Sequence, residues 1–431
     1  MASPTVAIVG TGPSGCYVAQ ALRKEWPEAE IVMLDRLPVP YGLVRYGVAP
    51  DHPGTKAVTR QFERLFEREG IRFVGNLEIG KDLSLDELRR ACDIVVLATG
   101  LYGDRPLGIP GDDLERVYGA GRMTRLFNDH PDEVDFVPRL GRRTVIVGNG
   151  NVAIDLLRLL AKSHDEFEGS DLSDESLTHL LSAPLDSIDI VGRSPAALAK
   201  FDTVMVKELA KLANVRFEIG AGSALAQAAN PQEQAKVEAI LALREVGGPP
   251  TPGQTQVTFH FGWVPEAIHG EQRVEGISFV GAADARQRIR LDADSVITAI
   301  GFQEHADSIL SRGALSGAAT DIDSGVLASG LYCAGWFRRG PSGTIPENRA
   351  DSKRVADTIV QAVAEGALAL GKPGFSAFAD TVKTRLVSYQ GWKRIDEAEL
   401  RSAPDGRVRR KVRNRSDMLS IAHENFPGVQ Q

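Results

Sequence analysis

Cysteine is scarce in this chain. Cys16, Cys92 and Cys333 are the only three in 431 residues, and each stands alone in an apolar stretch. No Cys-x-x-Cys occurs, so neither a redox-active disulfide nor an iron–sulfur cluster of the chain's own has support in the sequence. Three isolated thiols in such settings read as small buried hydrophobes. Long apolar runs are missing as well: none approaches the roughly 18 residues that a membrane-spanning helix needs. The N-terminus has no basic region ahead of a long apolar stretch, so the chain reads as cytoplasmic, without signal or transit peptide. A net charge of −7 argues against nucleic acid as the main partner. No Ser-His-Asp arrangement and no metal-ligand cluster stands out.

What is present is an ordinary globular composition, 43% hydrophobic and 25% charged, over a length that calls for two or three domains. The β-branched run Thr5-Val6-Ala7-Ile8-Val9 reads as a buried strand. Gly10-Thr11-Gly12-Pro13-Ser14-Gly15 follows without a spacer, and Cys16 to Trp26 carries apolar residues at helical spacing. Strand, glycine turn and helix in this order form the dinucleotide-binding fingerprint. Gly10 allows a tight turn, Gly12 lets a pyrophosphate approach the backbone, and Gly15 lets helix and strand pack closely. The helix N-terminus then faces the phosphates. Asp35 ends the second strand, Ile31 to Leu34, where an acid would grip a ribose hydroxyl.

Residues 36–55 are rich in Pro and Gly and predict an irregular loop, too apolar for an ordinary surface loop and placed to cover a ligand. Lys56 to Glu69 predicts an amphipathic helix. Ser84-Leu85-Asp86-Glu87 is a capping box opening a short helix. The apolar strand Asp93 to Leu97 ends in the small residues Ala98-Thr99-Gly100. The fingerprint then recurs: Arg143 to Val147 as strand, Gly148-Asn149-Gly150-Asn151-Val152-Ala153 as turn, and Ile154 to Ala161 as helix. Ser163 to Ser182 reads as a polar insertion, and Ile188 to Val191 as the next strand. Ser295 to Gly301 echoes the Asp93 to Gly100 segment, so a whole nucleotide-binding unit is repeated. Gln256 to Phe261 and Val274 to Val280 predict short antiparallel strands, with Gly247 to Gly253 as turn or loop. Gly330 to Trp336 is a third strand-and-glycine segment, and a helix is expected from about Glu347 to Ala364. The basic cluster Arg407, Arg409, Arg410, Lys411, Arg413 and Arg415 reads as a solvated face.

Several stretches resemble one family, the adrenodoxin-reductase-like ferredoxin–NADP reductases. They are the loop from Tyr41 to Pro53 (YGLVRYGVAPDHP), Gly148 to Asp155 (GNGNVAID), Tyr332-Cys333-Ala334-Gly335-Trp336 with Arg339-Gly340-Pro341, and Trp392 with Ile395-Asp396. The resemblance covers nearly the full length. It implies an α/β fold of glutathione-reductase-like architecture with two Rossmann-like dinucleotide-binding domains. A discontinuous FAD domain would comprise residues 1–104 and 330–431, and an NADP domain residues 105–329. It places FAD contacts, besides the turn glycines Gly10, Gly12 and Gly15, on Ser14, Asp35, Leu43, Ile79, Trp336, Gly343, Thr344 and Ile345. NADP contacts fall on Gly148, Asn149, Gly150, Asn151, Val152, Arg193, Glu208 and Gly343. His52 and Asp155 match polar residues near the flavin's reactive face and, with Glu208, are the catalytic candidates. The implied reaction carries electrons from NADPH through FAD to a ferredoxin. Hydride transfer to a flavin needs no protein nucleophile, which agrees with the missing triad.

The family pattern has a second arginine after Arg193, where this chain has Ser194; Lys200 is an alternative source of the second charge. The stretch from Arg193 to Glu208 is also longer than the family's. His52 either tunes a flavin proton or caps its turn, and Glu208 either orients a carboxamide or is an exposed helix residue. For a ferredoxin, Arg338 and Arg339, directly after Trp336, are the foremost docking candidates; Arg122, Arg125, Arg139, Arg142 and Arg143 are others. Rival readings are another two-nucleotide flavoenzyme, such as a monooxygenase, and a redox-inactive nucleotide-binding regulator.

Overall fold

A computed structural model describes residues 3–181, 184–225, 227–246 and 251–424. The chain forms two compact units. The first comprises Met1–Gly103, Asp129–Pro131 and Phe302–Gln431, and the second Asp104–Asn128 and Asp132–Gly301. The return to the first unit thus comes at Phe302, ahead of the expected position 330. The intervening residues already belong to its core, since Leu310, Leu315, Ala319 and Ile322 pack against the cluster containing Leu97, Leu331 and Cys333. The short excursion at Asp129–Pro131 is held there by Arg413, 3.6 Å from the Asp129 carboxylate, and by His130, whose ring meets Tyr46 at 4.6 Å.

The first unit is built on a seven-stranded sheet in the order Val326–Ala328, Leu331–Cys333, Ile94–Leu97, Thr5–Val9, Glu30–Leu34, Arg72–Gly75, Val387–Ser388. The inner five strands are parallel and the two edge strands antiparallel. Apolar runs without polar alternation form these strands because both faces are covered. Val6, Ile8, Ile31, Met33, Ile94 and Val96 point to one face, and Ala7, Val9, Val32, Leu34, Val95 and Leu97 to the other. Helices Pro13–Glu25 and Ile345–Ala364 lie against the first face, helix Leu85–Ala91 against the second. Ser84 and Glu87 close the expected capping box. The 36–55 loop is less irregular than its composition suggests. It holds two one-turn helices, Leu43–Tyr46 and Pro53–Lys56. Gly42 at φ +48° turns the chain into the first, and Pro53, with its fixed φ, starts the second. The expected helix after it runs Thr59–Glu67.

The second unit carries a six-stranded, all-parallel sheet: Val117–Gly119, Ser295–Thr298, Arg143–Val147, Ser187–Gly192, Thr255–Phe261, Val215–Ile219. Its glycine-turn strand lies between the strand that follows in sequence and the strand that closes the unit, as Thr5–Val9 does in the first. Thr255–Phe261 is thus a parallel inner strand, not the antiparallel one expected. Its alternation misleads because Thr258 and His260 are buried too, the latter bonded to Asp189 at 2.7 Å. Gly276–Gly281 does pair antiparallel, in a separate three-stranded sheet with Trp263–His269 and Arg288–Asp292. The stretch after Ser163 is ordered and partly buried. It forms a 3-10 turn (His164–Phe167) and helix Asp174–Leu181, burying Phe167, Leu172, Leu177 and Leu180. Its end at Ser182, and residues 247–250 of the expected loop, lie outside the described residues. Among the described residues no helix is long and apolar enough to cross a membrane.

Candidate functional site

Each unit presents a glycine turn of the same construction. In the first, Gly10 has φ +106°, and a Cβ there would lie 2.4 Å from the Ala98 carbonyl oxygen. A Cβ on Gly15 would lie 2.1 Å from the Gly10 oxygen, so helix and strand touch through bare backbone. Gly12 differs: it caps helix Pro13–Glu25, and nothing lies within 4 Å of its would-be Cβ. The turn is therefore packed at Gly10 and Gly15 and open at Gly12, where unpaired helix N–H groups and the helix dipole favour a phosphate.

Asp35 sits beside this turn, its carboxylate accepting from the Thr11 N–H at 3.2 Å, from the Thr11 hydroxyl and from the Leu37 N–H at 3.0 Å. Burial pushes its carboxyl above the ordinary range, and the bonds from Thr11 and Leu37 offset this only in part. A carboxylate has more acceptor positions than these donors use, so Asp35 retains capacity for a ribose hydroxyl. The part played by Thr11 is not legible in the sequence, since the middle position of the turn accepts many residue types.

The other expected contacts of this unit sit on separate segments. Leu43 opens its one-turn helix behind Gly42, and the preceding Tyr41, at φ +82°, donates its N–H to the Thr11 carbonyl at 3.2 Å. The YGLVRYG loop is thereby fastened to the glycine turn. Ile79 is buried, in a bridge to Leu83. Trp336 follows Gly335, which has φ +65°; its ring meets Phe302 at 5.3 Å, and its buried Nε1 has no hydrogen-bond partner among the described residues. Gly343 has φ +90°, and Thr344 caps helix Ile345–Ala364 through a capping box with Glu347. Ser14 joins the two helices, its hydroxyl donating to Asn348 Oδ1 at 3.2 Å. An open glycine at a helix N-terminus, an acid at the strand end and an orphaned indole N–H fit a flavin dinucleotide.

In the second unit, Gly148 has φ +127°, and its would-be Cβ lies 2.2 Å from the Ala299 oxygen. Gly150 caps helix Asn151–Ala161, and the nearest neighbour of its would-be Cβ is the Lys200 Cβ at 4.0 Å. Ala153 is fully buried where the first turn has its third glycine. Asn149 is buried, and its Nδ2 has no hydrogen-bond partner among the described residues. Asn151 accepts the Asp202 N–H at 2.7 Å, and Lys236 donates to the Ala199 carbonyl at 2.6 Å. These bonds hold Lys200 beside the glycine turn, and Val152 lies half-buried in the helix's first turn. Arg193 and Lys200 are exposed and make no hydrogen bond or ion pair among the described residues.

Of the catalytic candidates, the second unit brings two together. Arg158, buried, donates to Asp155 at 2.8 Å and lies 3.9 Å from Glu208. Its role is invisible in the sequence, because an arginine on an apolar helix carries no motif. In the first unit, His52 precedes helix Pro53–Lys56 without a side-chain cap to it; its backbone carbonyl accepts from the N–H groups of Thr55 and Lys56 instead.

The basic groups divide: Arg122, Arg139 and Arg142 are exposed and Arg143 is half-buried, whereas Arg125, Arg338 and Arg339 are largely internal. Arg338 and Arg339 are not surface charges: their side chains are 8% and 19% exposed, and both pair with buried Asp351. Arg125 pairs with buried Glu133, Arg142 with Asp186 and Arg143 with Asp294. The 407–415 cluster is a solvated face only in part, with Arg410 exposed. Lys411 is buried, Arg409 binds Asp396 at 2.7 Å and Glu399 at 3.1 Å, and Arg413 pairs with Asp129.

The chain is similar to known proteins. A family model described as pyridine nucleotide-disulphide oxidoreductase matches residues 4–243. Cindoxin reductase of Citrobacter braakii is 46% identical, over 97% of this chain and 91% of its own length. The mitochondrial NADPH:adrenodoxin oxidoreductase of Salvelinus fontinalis is 31% identical, over 97% of this chain and 91% of its own. The solved structure of Mycobacterium tuberculosis FprA in complex with NADPH superposes with a TM-score of 0.89 at 30% identity, covering 98% of this chain and all of that one.

Proposed function

The chain belongs to the pyridine nucleotide-disulphide oxidoreductase family, and from that premise we propose that it is a flavoprotein reductase passing electrons from NADPH through FAD to a ferredoxin-type iron–sulfur protein. The observation that carries this is the pair of glycine turns, one per unit, each open only at the residue that caps its helix. The family takes its name from a disulfide chemistry that this chain does not support, since Cys16, Cys92 and Cys333 are all free and buried. The electrons therefore go to an external acceptor, as the names of cindoxin reductase and adrenodoxin oxidoreductase say of those relatives.

In this reading the first unit holds FAD and the second NADPH. Bound FAD supplies the chemistry of taking two electrons with a hydride and releasing them singly. The protein's part is placement and exclusion of water. Gly10, Gly12, Ser14 and Gly15 receive the pyrophosphate at a helix N-terminus, Asp35 holds a ribose, and Leu43, Ile79, Trp336 and Gly343 to Ile345 border the ring system. Gly148, Asn149, Gly150, Asn151 and Val152 receive the coenzyme's pyrophosphate. Arg193 grips the 2′-phosphate, with Lys200 as the second charge in place of Ser194. Glu208, near Arg158, orients the nicotinamide carboxamide, and His52 and Asp155 serve the flavin's reactive face. A cytoplasmic location belongs to the same reading, and three unpaired thiols suit a reducing compartment.

The test is the cofactor itself. Acid release and chromatography of the purified protein should yield FAD in equimolar amount, bleached faster by NADPH than by NADH. FMN, or a well-folded protein with no flavin, would contradict the reading.

A further inference from the structure

Asp351 is almost fully buried, yet four donor nitrogens converge on it. The Gly335 N–H reaches its Oδ2 at 2.7 Å. Arg338 binds its Oδ1 through Nε at 3.0 Å and through Nη2, and Arg339 Nε lies 3.3 Å from the same oxygen. Arg339 goes on to Asn348 Oδ1 at 2.7 Å, and that oxygen also accepts the Ser14 hydroxyl at 3.2 Å. Ser352, next along the helix, donates to the Ser14 carbonyl at 3.0 Å. One continuous polar network thus runs from the glycine turn to the residue preceding Trp336. Contact between its ends is also direct: a Cβ on Gly335 would lie 2.0 Å from Ser14 Oγ.

Gly335 has φ +65° and ψ −140°, a conformation open to glycine and rarely to other residues. Its N–H is the group Asp351 grips. A buried carboxylate is costly unless matched by charge and hydrogen bonds; here Arg338 and Arg339 supply the charge, and Arg338 and the Gly335 N–H the hydrogen bonds. The two guanidiniums are likewise spent inside the protein, not offered to a partner.

We propose that Asp351 is a positioning residue: it sets the Gly335–Trp336 turn that borders the isoalloxazine and, through Arg339 and Asn348, couples that turn to the one receiving the pyrophosphate. The proposal rests on the FAD reading above. Nothing in it requires Asp351 to touch the cofactor.

The test compares wild type, Asp351→Asn, the double variant Asp351→Asn/Arg338→Met, and Asn348→Ser. The readouts are the FAD dissociation constant of the reconstituted protein and the visible circular dichroism of bound flavin, with far-ultraviolet dichroism as the check on folding. Asp351→Asn should weaken FAD binding at least tenfold and change the sign or amplitude of the flavin dichroism, and the double variant should not restore either. Recovery in the double variant would mean that Asp351 merely neutralises Arg338, which overturns the proposal, as would an unchanged flavin signal in Asp351→Asn. If Asp351→Asn does not fold, Asn348→Ser decides: altered flavin dichroism supports the coupling, and an unaltered signal overturns it. A wild type without FAD would instead fail the function proposed above, so the two failures are distinguishable.

Discussion

Arg45 and Glu399, 354 residues apart in sequence, form a buried ion pair. Glu399 is wholly buried and also accepts from Arg409 Nη1 at 3.1 Å and from the Val412 N–H at 2.9 Å. The Arg45 guanidinium lies 5.1 Å from the Tyr46 ring centre and 5.0 Å from that of Trp392. Burial works against its charge, but Glu399 more than offsets this and holds the guanidinium protonated. The pair fastens the loop carrying Leu43 to helix Tyr389–Arg401.

Removing one partner of a buried pair leaves the other uncompensated, at a cost of about 3–5 kcal/mol. Glu399→Gln is therefore expected to lose about that much in urea unfolding, and Arg45→Met/Glu399→Leu considerably less than the sum of the single changes. A loss under about 1 kcal/mol for Glu399→Gln is what an exposed pair would give, and would contradict the latch.

The three glycines of the first turn should separate fold from cofactor. Gly12→Val has room in the protein but places methyls where a pyrophosphate would lie. It is expected to fold with near-normal far-ultraviolet dichroism and to purify without FAD. Gly15→Val, whose Cβ would meet the Gly10 oxygen at 2.1 Å, is expected to fail to accumulate as folded protein. Retention of FAD by Gly12→Val would remove the turn from the site.

Coenzyme preference should rest on Arg193 and Lys200. Loss of a charge-assisted phosphate bond costs about 1.5–3 kcal/mol, or roughly 10- to 150-fold in affinity. With Ser194 in place of a second arginine, Arg193→Ala is expected toward the lower end, and Lys200→Met at about tenfold. Titration with NADP⁺ and NAD⁺ checks this, because both variants should weaken NADP⁺ alone. Equal weakening of both coenzymes by Lys200→Met would move that lysine to the pyrophosphate. An unchanged NADP⁺ preference in Arg193→Ala would sink its assignment.

Burial pushes the thiols of Cys92 and Cys333 up to about 12, and that of Cys16 higher still, aided by the nearby Asp35 charge. Because these values are raised, the thiols stay protonated and unreactive at any pH below that range. A disulfide reagent at pH 8 should titrate none of them in the native protein and all three after denaturation. A fast-reacting native thiol would contradict the buried placement.

The parts legible in the sequence were those encoded within a few consecutive residues. Gly10 and Gly148 have positive φ because their turns demand it, and the Ser84 capping box is a four-residue rule. Charge pairing was not legible in the same way. Arg338 looks the same in sequence whether it faces water or Asp351, and the Arg407–Arg415 cluster reads as solvated until Glu399, Asp396 and Asp129 are seen beside it. The Thr255–Phe261 strand misled for a related reason, since His260 is polar yet buried, with its Nε2 bonded to Asp189. The domain return at Phe302 was hidden because Leu310, Leu315 and Ile322 are scattered apolar residues in a weakly patterned stretch, and only packing reveals their core.

The most direct measurement follows flavin absorbance anaerobically in a stopped-flow instrument, first on mixing with NADPH and then with an oxidised ferredoxin. NADPH is expected to bleach the flavin, and ferredoxin to restore its absorbance as the iron–sulfur protein is reduced. This second phase should slow as salt rises, because charge steering is screened over about 8–10 Å at physiological ionic strength. Bleaching by NADPH that no ferredoxin reverses would contradict the claim that this chain delivers electrons to an iron–sulfur partner.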